Sequence, residues 1–454
     1  MNSLNLNNEH RLIKYFIIFG WISCWFSVSF NPEFFYYPNI YKITILEEIN
    51  YIKLITFLRG ASTLILFPIL IYILIILNKK KNLIKSNFIF LALTIFFIIQ
   101  LVGFSNTNNP KINIYYLVSS LDVVIICLII KNFFTEKELL LVFNITFIIL
   151  ISIFAHYSIK YINIYIENPQ IFTLYSAWGE IDIGSLISEI PRPTGLARVA
   201  LIVLITSIFL LEKKNNYNFF YLILINATGY IIITLGSRTI LFLFILFLIF
   251  YIFYNRLYNS KKIFNLLSNC IFIPIILIIV SVQLQKLMND QSKSIIKQKH
   301  KPIYEKYTSK LLRDFPSIKI DDDDVNLDTF SSGRFEDWKN IINKNPNLYY
   351  GVGVMGDRYL INQSASNLIL YSYASSGILG VILIICISLN VFFQSILIII
   401  KSGNFYLKKY KLISVSCLIL LMLRSILETS YGVFGIDLIL FCFFSSIISF
   451  KKRN

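Results

Sequence analysis

The chain has 454 residues, of which 56% are hydrophobic and 15% charged, and its formal net charge is +17. Soluble domains are typically about 45–50% apolar, so this composition excludes an ordinary soluble domain and indicates a membrane protein. The basic residues lie in short segments between apolar stretches, which indicates membrane topology rather than nucleic-acid binding. All six cysteines lie inside apolar stretches without a CxxC pair, so neither a disulfide nor a metal site is predicted.

Twelve apolar stretches are candidates for membrane spans, each of which needs about 20 residues. They lie at 12–30, 57–77, 87–105, 114–131, 138–158, 196–212, 217–236, 238–255, 264–283, 366–400, 410–427 and 433–450. The tenth is long for a single span, and we expect its helix to break at 375–377. The predicted fold is an all-α integral membrane bundle with spans 1–9 in residues 1–283, a large and largely helical loop in 284–365, and spans 10–12 in 366–454.

Seven groups of lysine and arginine residues fall in alternate connections between these stretches. They lie at 11–14, 79–85, 131–137, 213–214, 256–262, 401–411 and 451–453. Basic loops stay in the cytoplasm, so both termini are predicted to be cytoplasmic. The loop 284–365 and the segments 31–56 and 159–195 are then predicted to face outward.

Five arginines are predicted at the outward edge, against the inside preference of basic residues. They are Arg192, Arg198, Arg238, Arg334 and Arg424. A guanidinium stays charged and binds phosphate oxygens through paired hydrogen bonds, so the set suits a lipid-linked diphosphate. The alternative is that single arginines reach the phosphates of the bilayer. Function is favoured for Arg238, in a short turn between spans, and for Arg424, inside its span, because an ionisable residue in a span is costly.

Four other polar residues are candidates near these arginines. Glu428 lies four residues after Arg424, so one helical face carries both, either as a catalytic pair or as a simple intramembrane ion pair. Asp357 lies in a glycine-rich turn, as a substrate contact or a solvated turn residue. Trp338, in the large loop, and Asn367, at the start of the tenth span, are candidates for substrate binding, and Trp338 is alternatively an interfacial anchor.

Five groups of motifs follow one another along the C-terminal two-thirds of the chain. They are RPTG at 192–195, GSRT at 236–239, SGRFEDW and NPNLYYGVG within 332–353, SNL with SSGILG within 366–380, and RSILETSYGVFGID at 424–437. In this order they resemble the bacterial superfamily of O-antigen polymerases (Wzy-type) and O-antigen ligases. Ser366-Asn367 departs from the ligases and many of the polymerases, which have His-Asn there, so the general base is unassigned between Glu428 and a base supplied by the substrate.

The resemblance implies a fold of the C-type membrane glycosyltransferases and an enzyme that needs no cofactor, metal or nucleotide sugar. It implies the bacterial inner membrane as location, and glycans carried on undecaprenyl diphosphate as substrates at the periplasmic face. A chain-length regulator and a flippase are the implied partners, besides the lipid bilayer. By motif position, Arg238 and Arg334 would hold the diphosphate or the acceptor, with help from Arg192 or Arg198.

Polymerisation of lipid-linked repeat units into O-antigen or a related surface polysaccharide is the expected function. Arg238, Arg334 and Glu428 are the expected catalytic residues, and Arg424 joins the arginines as a diphosphate ligand. One alternative is a ligase that transfers glycan to lipid A or protein. Another is a lipid-linked oligosaccharide flippase or other transporter, although such proteins are often built from repeated halves and this sequence has no internal repeat.

Overall fold

The computed structural model describes most of the apolar sequence and part of the loop that precedes the tenth predicted span. The described residues are 2–29, 46–81, 87–103, 110–167, 193–211, 218–254, 260–281, 283, 334–361, 364–400 and 408–450. Within them the chain forms helices and short turns and no β-strand. Residue 192 and the loop residues 284–333 lie outside the described part.

Fourteen α-helices lie in the described ranges. The first seven are α1 (Asn2–Ser29), α2 (Leu46–Lys81), α3 (Phe88–Val102), α4 (Pro110–Phe133), α5 (Glu136–Glu167), α6 (Pro193–Leu211) and α7 (Asn218–Leu235). The others are α8 (Arg238–Tyr254), α9 (Ser260–Leu267), α10 (Arg334–Lys344), α11 (Gly356–Ile361), α12 (Leu368–Ile400), α13 (Lys408–Arg424) and α14 (Ile436–Ile448). A π-helical turn, Ser268–Phe272, continues α9 into a helix that runs to residue 281.

The apolar stretches found in the sequence coincide with helices in the described chain. Eight of these helices are long and apolar enough to cross a membrane, and α3, α8 and α14 are shorter apolar helices. Their outer faces are apolar too: Ile276 and Leu277 are 57% and 45% exposed in the continuation of α9. Such a surface is unfavourable in water and suits the hydrocarbon of a bilayer. The prediction of an all-helical protein with membrane-crossing helices is confirmed to this extent.

Helix α14 lies at the centre of the bundle, because every residue from 438 to 448 is buried. It packs against α13, α4, α12 and α1. On the side facing α1, the ring of Phe443 lies 5.3 Å from that of Trp21. A helix that is apolar all round is expected in such a position, since it has neighbours on every side.

Lysines connect helix ends at one end of the bundle. Lys409 Nζ donates a hydrogen bond to the carbonyl of Leu210, and Lys411 Nζ donates one to that of Phe450, at 3.2 and 3.0 Å. Both carbonyls lie at helix C-termini, where unpaired oxygens and the helix dipole favour a cation. The start of α13 therefore lies beside the ends of α6 and α14, as the predicted alternation of helices requires.

The long helix α12 is broken, as the sequence predicted. Gly377 has φ 62° and ψ −159°, outside the helical region. At the break the Val352 amide donates to the carbonyl of Ala374 and the Gly353 amide to that of Ser375, at 2.8 and 3.0 Å. The glycine-rich turn that precedes α11 is thus hydrogen-bonded to backbone groups that a continuous helix would keep for itself.

Candidate functional site

Four charged side chains form one network where α6 begins, α13 ends and α14 begins. Arg198 Nη1 lies 2.6 Å from Asp437 Oδ1. Arg424 Nη1 pairs with the other oxygen, Asp437 Oδ2, and its Nη2 lies 3.9 Å from Glu428 Oε2. One carboxylate therefore binds two arginines, and a second carboxylate approaches one of them. We call these four residues the charge network.

Burial divides the charge network into an inner and an outer part. The side chains of Arg424 and Asp437 are 6% and 3% exposed, whereas those of Arg198 and Glu428 are 14% and 29% exposed. Buried charges are tolerated when they are paired, and here two guanidinium groups and two carboxylates balance. Arg198 Nε has no hydrogen-bond partner among the described residues, so its guanidinium group keeps at least one unpaired donor. Glu428 is the most accessible member of the network.

The connection between α13 and α14 returns the chain to Arg424. Ser430 adopts a positive φ of 41° and is the first residue of a 3₁₀ turn, Ser430–Gly432. The ring of Tyr431 stacks on Phe441 with centroids 3.9 Å apart, and its hydroxyl shares a 2.6 Å hydrogen bond with Ser388. These contacts fix the turn so that the first residues of α14 lie beside the last residue of α13.

The start of α12 is attached to the same connection. The Asn367 side-chain oxygen accepts hydrogen bonds from two amides of the first helical turn, at 2.8 and 3.1 Å, and so caps the helix. Its Nδ2 donates to the carbonyl of Ile426 at 2.9 Å, and the Leu368 amide donates to that of Ser425 at 2.9 Å. The Ser366-Asn367 motif therefore lies next to the residues between Arg424 and Glu428.

Helix α10 is hydrogen-bonded to this assembly at the backbone of Ala365. Trp338 Nε1 donates to the Ala365 carbonyl at 3.0 Å, while the Ala365 amide donates to Asp357 Oδ2 at 2.9 Å. Asp357 is fully buried, and its other oxygen accepts from the Arg358 amide at 2.9 Å. In this structure, then, Asp357 and Trp338 hold the segment that leads into α12. The full burial of Asp357 excludes the alternative of a solvated turn residue, and substrate contact stays a prediction for both.

Arg238 and Arg334 are the first residues of α8 and α10. Arg238 is exposed and Arg334 half-buried, and neither has an ion-pair or hydrogen-bond partner among the described residues. Arg334 lies one turn before Trp338, about 6 Å away along the helix axis. The described contacts link it to the charge network only indirectly, through Trp338 and Ala365, and they do not link Arg238 to it.

The structure makes Asp437 the shared partner of two arginines, a role that the sequence did not assign to it. It lies thirteen residues after Arg424, a separation that no helical spacing relates. The signals in the sequence were its place in the last of the resembling motifs and its position as a carboxylate at the predicted outward edge. Within the described residues, no three His, Cys, Asp or Glu side chains are placed to hold a metal ion.

In its described residues the structure is all-helical, with helices of membrane-crossing length and a largely buried charge network where α6 begins, α13 ends and α14 begins. Comparison with protein-family models, with curated proteins and with solved structures finds no match.

Proposed function

We propose that the protein is a membrane glycosyltransferase that polymerises oligosaccharide repeat units carried on undecaprenyl diphosphate. In this proposal it has twelve spans, with both termini in the cytoplasm, and acts at the periplasmic face of the bacterial inner membrane. The observation that carries the proposal is the convergence of motifs that lie far apart in sequence. Trp338 is hydrogen-bonded to Ala365, Asn367 to Ile426, and Arg424 to Asp437. Residues of three of the resembling motifs thus belong to one connected structure.

The reaction needs positive charge where the diphosphate departs. An acceptor hydroxyl attacks the anomeric carbon of the growing chain, and the bond from that carbon to the diphosphate oxygen breaks. Negative charge then develops on the leaving oxygen, where fixed donors lower the barrier most effectively. Arg238 and Arg334 are assigned to this position, because their guanidinium groups have no partner among the described residues and lie at helix N-termini, whose dipoles also favour an anion.

Arg198 and Arg424 receive a different assignment, because they already bind Asp437. They hold the ends of α6, α13 and α14 together, and Arg424 also positions Glu428, 3.9 Å from it. Glu428 is assigned as the base that takes the proton from the acceptor hydroxyl, since it is the most exposed carboxylate of the network. The proton then passes from Glu428 to water, which restores the carboxylate.

A strain that lacks the protein tests the assignment against its two alternatives. Loss of a polymerase leaves single repeat units that have crossed the membrane but are not extended. Loss of a ligase leaves lipid-linked polymer that is not attached to lipid A or protein, and loss of a flippase leaves single units on the cytoplasmic face. The first outcome supports the proposal, and either of the others contradicts it.

A further inference from the structure

A second buried carboxylate, Asp122, lies in the middle of α4, away from the charge network. Its residue is fully buried, and neither carboxyl oxygen has a hydrogen-bond partner among the described residues. An ionised carboxylate in such surroundings costs several kcal/mol unless a cation or hydrogen-bond donors compensate it. The group avoids this cost when it binds a proton and becomes neutral.

The helices around Asp122 supply thiols rather than charges. Cys24 on α1 is an ionisable group near Asp122. Cys24 and Cys442, on α1 and α14, both lie near Cys127 of α4. Within the described residues, Asp122 has no ion-pair or hydrogen-bond partner.

Two hydrogen-bonded pairs of hydroxyl groups lie between Asp122 and the end of the bundle where α4 begins. Positions 115, 119 and 122 share one face of α4, by their spacing of four and three residues. Ser119 Oγ donates to Thr63 Oγ1 at 3.0 Å, and Tyr115 Oη shares a 2.6 Å hydrogen bond with Ser27 Oγ. Tyr115 lies about 10 Å along the helix axis from Asp122. Thr63 Oγ1 donates its own proton to the carbonyl of Gly60, and neither pair is hydrogen-bonded to Asp122. Hydroxyl groups both donate and accept, so the two pairs can pass a proton once water joins them to each other and to the carboxylate.

The outer end of these hydroxyl groups, at Tyr115, lies beside the candidate site. The ring of Tyr115 lies 6.1 Å from that of Phe434, in an edge-to-face arrangement. Phe434 follows the 3₁₀ turn and precedes Asp437 by three residues. The segment that shapes the charge network therefore also covers the outer end of these hydroxyl groups.

We propose that Asp122 is a proton-binding site, neutral in this conformation, which exchanges its proton with water at the outer end of the bundle through the hydroxyl groups of Ser119, Thr63 and Tyr115. The proton that neutralises the carboxylate comes from water, and it returns to water when the carboxylate ionises. Ionisation requires water to enter the site, and the same water would join the carboxylate to the hydroxyl groups. Ionisable residues inside spans commonly mark proton relays.

Infrared spectroscopy of the purified protein in lipid nanodiscs tests this without any substrate. At neutral pH we expect a carbonyl band of a protonated carboxyl group that shifts when aspartate is labelled with ¹³C at its carboxyl carbon, and shifts again in D₂O. The band is lost in Asp122→Asn. It persists in Asp357→Asn, the matched control, because Asp357 is equally buried but accepts two backbone hydrogen bonds. In Ser119→Ala combined with Thr63→Val, the band remains and its shift in D₂O is slowed at least several-fold.

Two results would overturn the assignment. One is wild-type protein without a protonated aspartate band at neutral pH, which needs no variant and holds even if Asp122→Asn does not fold. The other is a band that appears only after sodium and potassium are removed, since a bound cation would then occupy the site. A negative result here leaves the proposed transferase unaffected, and loss of transferase activity leaves the infrared result unaffected.

Discussion

Arg198 Nη1 lies 2.6 Å from Asp437 Oδ1, although the two residues belong to helices far apart in the chain. Because Arg424 binds the other carboxylate oxygen, Asp437 is the point at which α6, α13 and α14 are joined. The four described arginines of the predicted outward set therefore divide into two pairs. Arg198 and Arg424 hold helix ends together, whereas Arg238 and Arg334 have no partner among the described residues.

Removing the charge of Asp437 should destabilise the whole bundle. Asp437→Asn keeps the shape of the side chain but leaves two largely buried guanidinium groups without their shared counter-ion, a loss of about 3–5 kcal/mol. Thermal unfolding in detergent should show this as a markedly lower midpoint. Glu428→Gln is the matched control, since a partly exposed pair at 3.9 Å contributes about 0–1 kcal/mol. Equal midpoints for the two variants would show that the network does not hold the helices together.

Glu428→Gln should nevertheless remove polymerisation. The amide cannot take the proton of the acceptor hydroxyl, while its size and the protein's stability are nearly unchanged. Polymer length in a strain that carries only this variant measures the effect, with Glu336→Gln as control, because Glu336 is an exposed carboxylate on α10. Long polymer in the Glu428→Gln strain would assign the base to the substrate instead.

Arg238→Ala and Arg334→Ala should each abolish long polymer while changing the free energy of unfolding by no more than about 0.5 kcal/mol, as is usual for accessible side chains without partners. The lysine variants should also be impaired, since an ammonium group cannot form paired hydrogen bonds to a diphosphate. Lys339→Ala, an exposed cation on α10, should keep polymer length at the wild-type value. Full-length polymer in both arginine variants would remove the two residues from the site.

Gly377→Ala should disrupt the contact between the glycine-rich turn and the break in α12. Its φ is positive, and a Cβ atom there would lie 2.2 Å from the carbonyl carbon of Tyr349. Gly236 is the matched control, with φ 61° and no heavy atom within 4 Å of an added Cβ. In Gly236→Ala the free energy of unfolding should therefore fall by only about 1–2 kcal/mol, the cost of placing a residue with a Cβ atom in the left-handed conformation. In Gly377→Ala it should fall by clearly more. Thermal unfolding midpoints measure both losses. Equal losses would show that the turn can move away from the added Cβ atom without loss of stability.

Asn367→Asp and Asn367→Ala should separate two roles of this side chain. Aspartate keeps the acceptor that caps α12 but loses the donor to the carbonyl of Ile426, while alanine loses both. We expect losses of about 1 kcal/mol for the first variant and about 2 kcal/mol for the second, measured by thermal unfolding. An Asp variant as damaged as the Ala variant would mean that capping contributes nothing.

Hydropathy located the helices because the length and apolar content of a segment are properties of that segment alone. The break in α12 was predictable for a similar reason, since Ser375-Ser376-Gly377 interrupts the helix locally. The contact between Arg424 and Glu428 was also predictable from spacing, and it is present even though α13 ends at Arg424.

The stronger partner of Arg424 was not predictable. Asp437 reaches it only because the intervening chain turns at Ser430 and stacks Tyr431 on Phe441, and neither feature follows from a local pattern. Asp357 and Asn367 were candidates for substrate contact, and nothing in the sequence indicated their hydrogen bonds to backbone groups, which depend on how the loop packs. Residues 284–333 of the large loop and Arg192 remain predictions, since they lie outside the described residues.

Polymerisation is tested most directly with purified protein supplied with one undecaprenyl-diphosphate-linked repeat unit, with EDTA present throughout. Wild-type protein should form lipid-linked chains of several repeats and release undecaprenyl diphosphate in step, and Arg334→Ala should form neither. Units that stay single with folded wild-type protein, or chains that grow equally with Arg334→Ala, would contradict the proposed function.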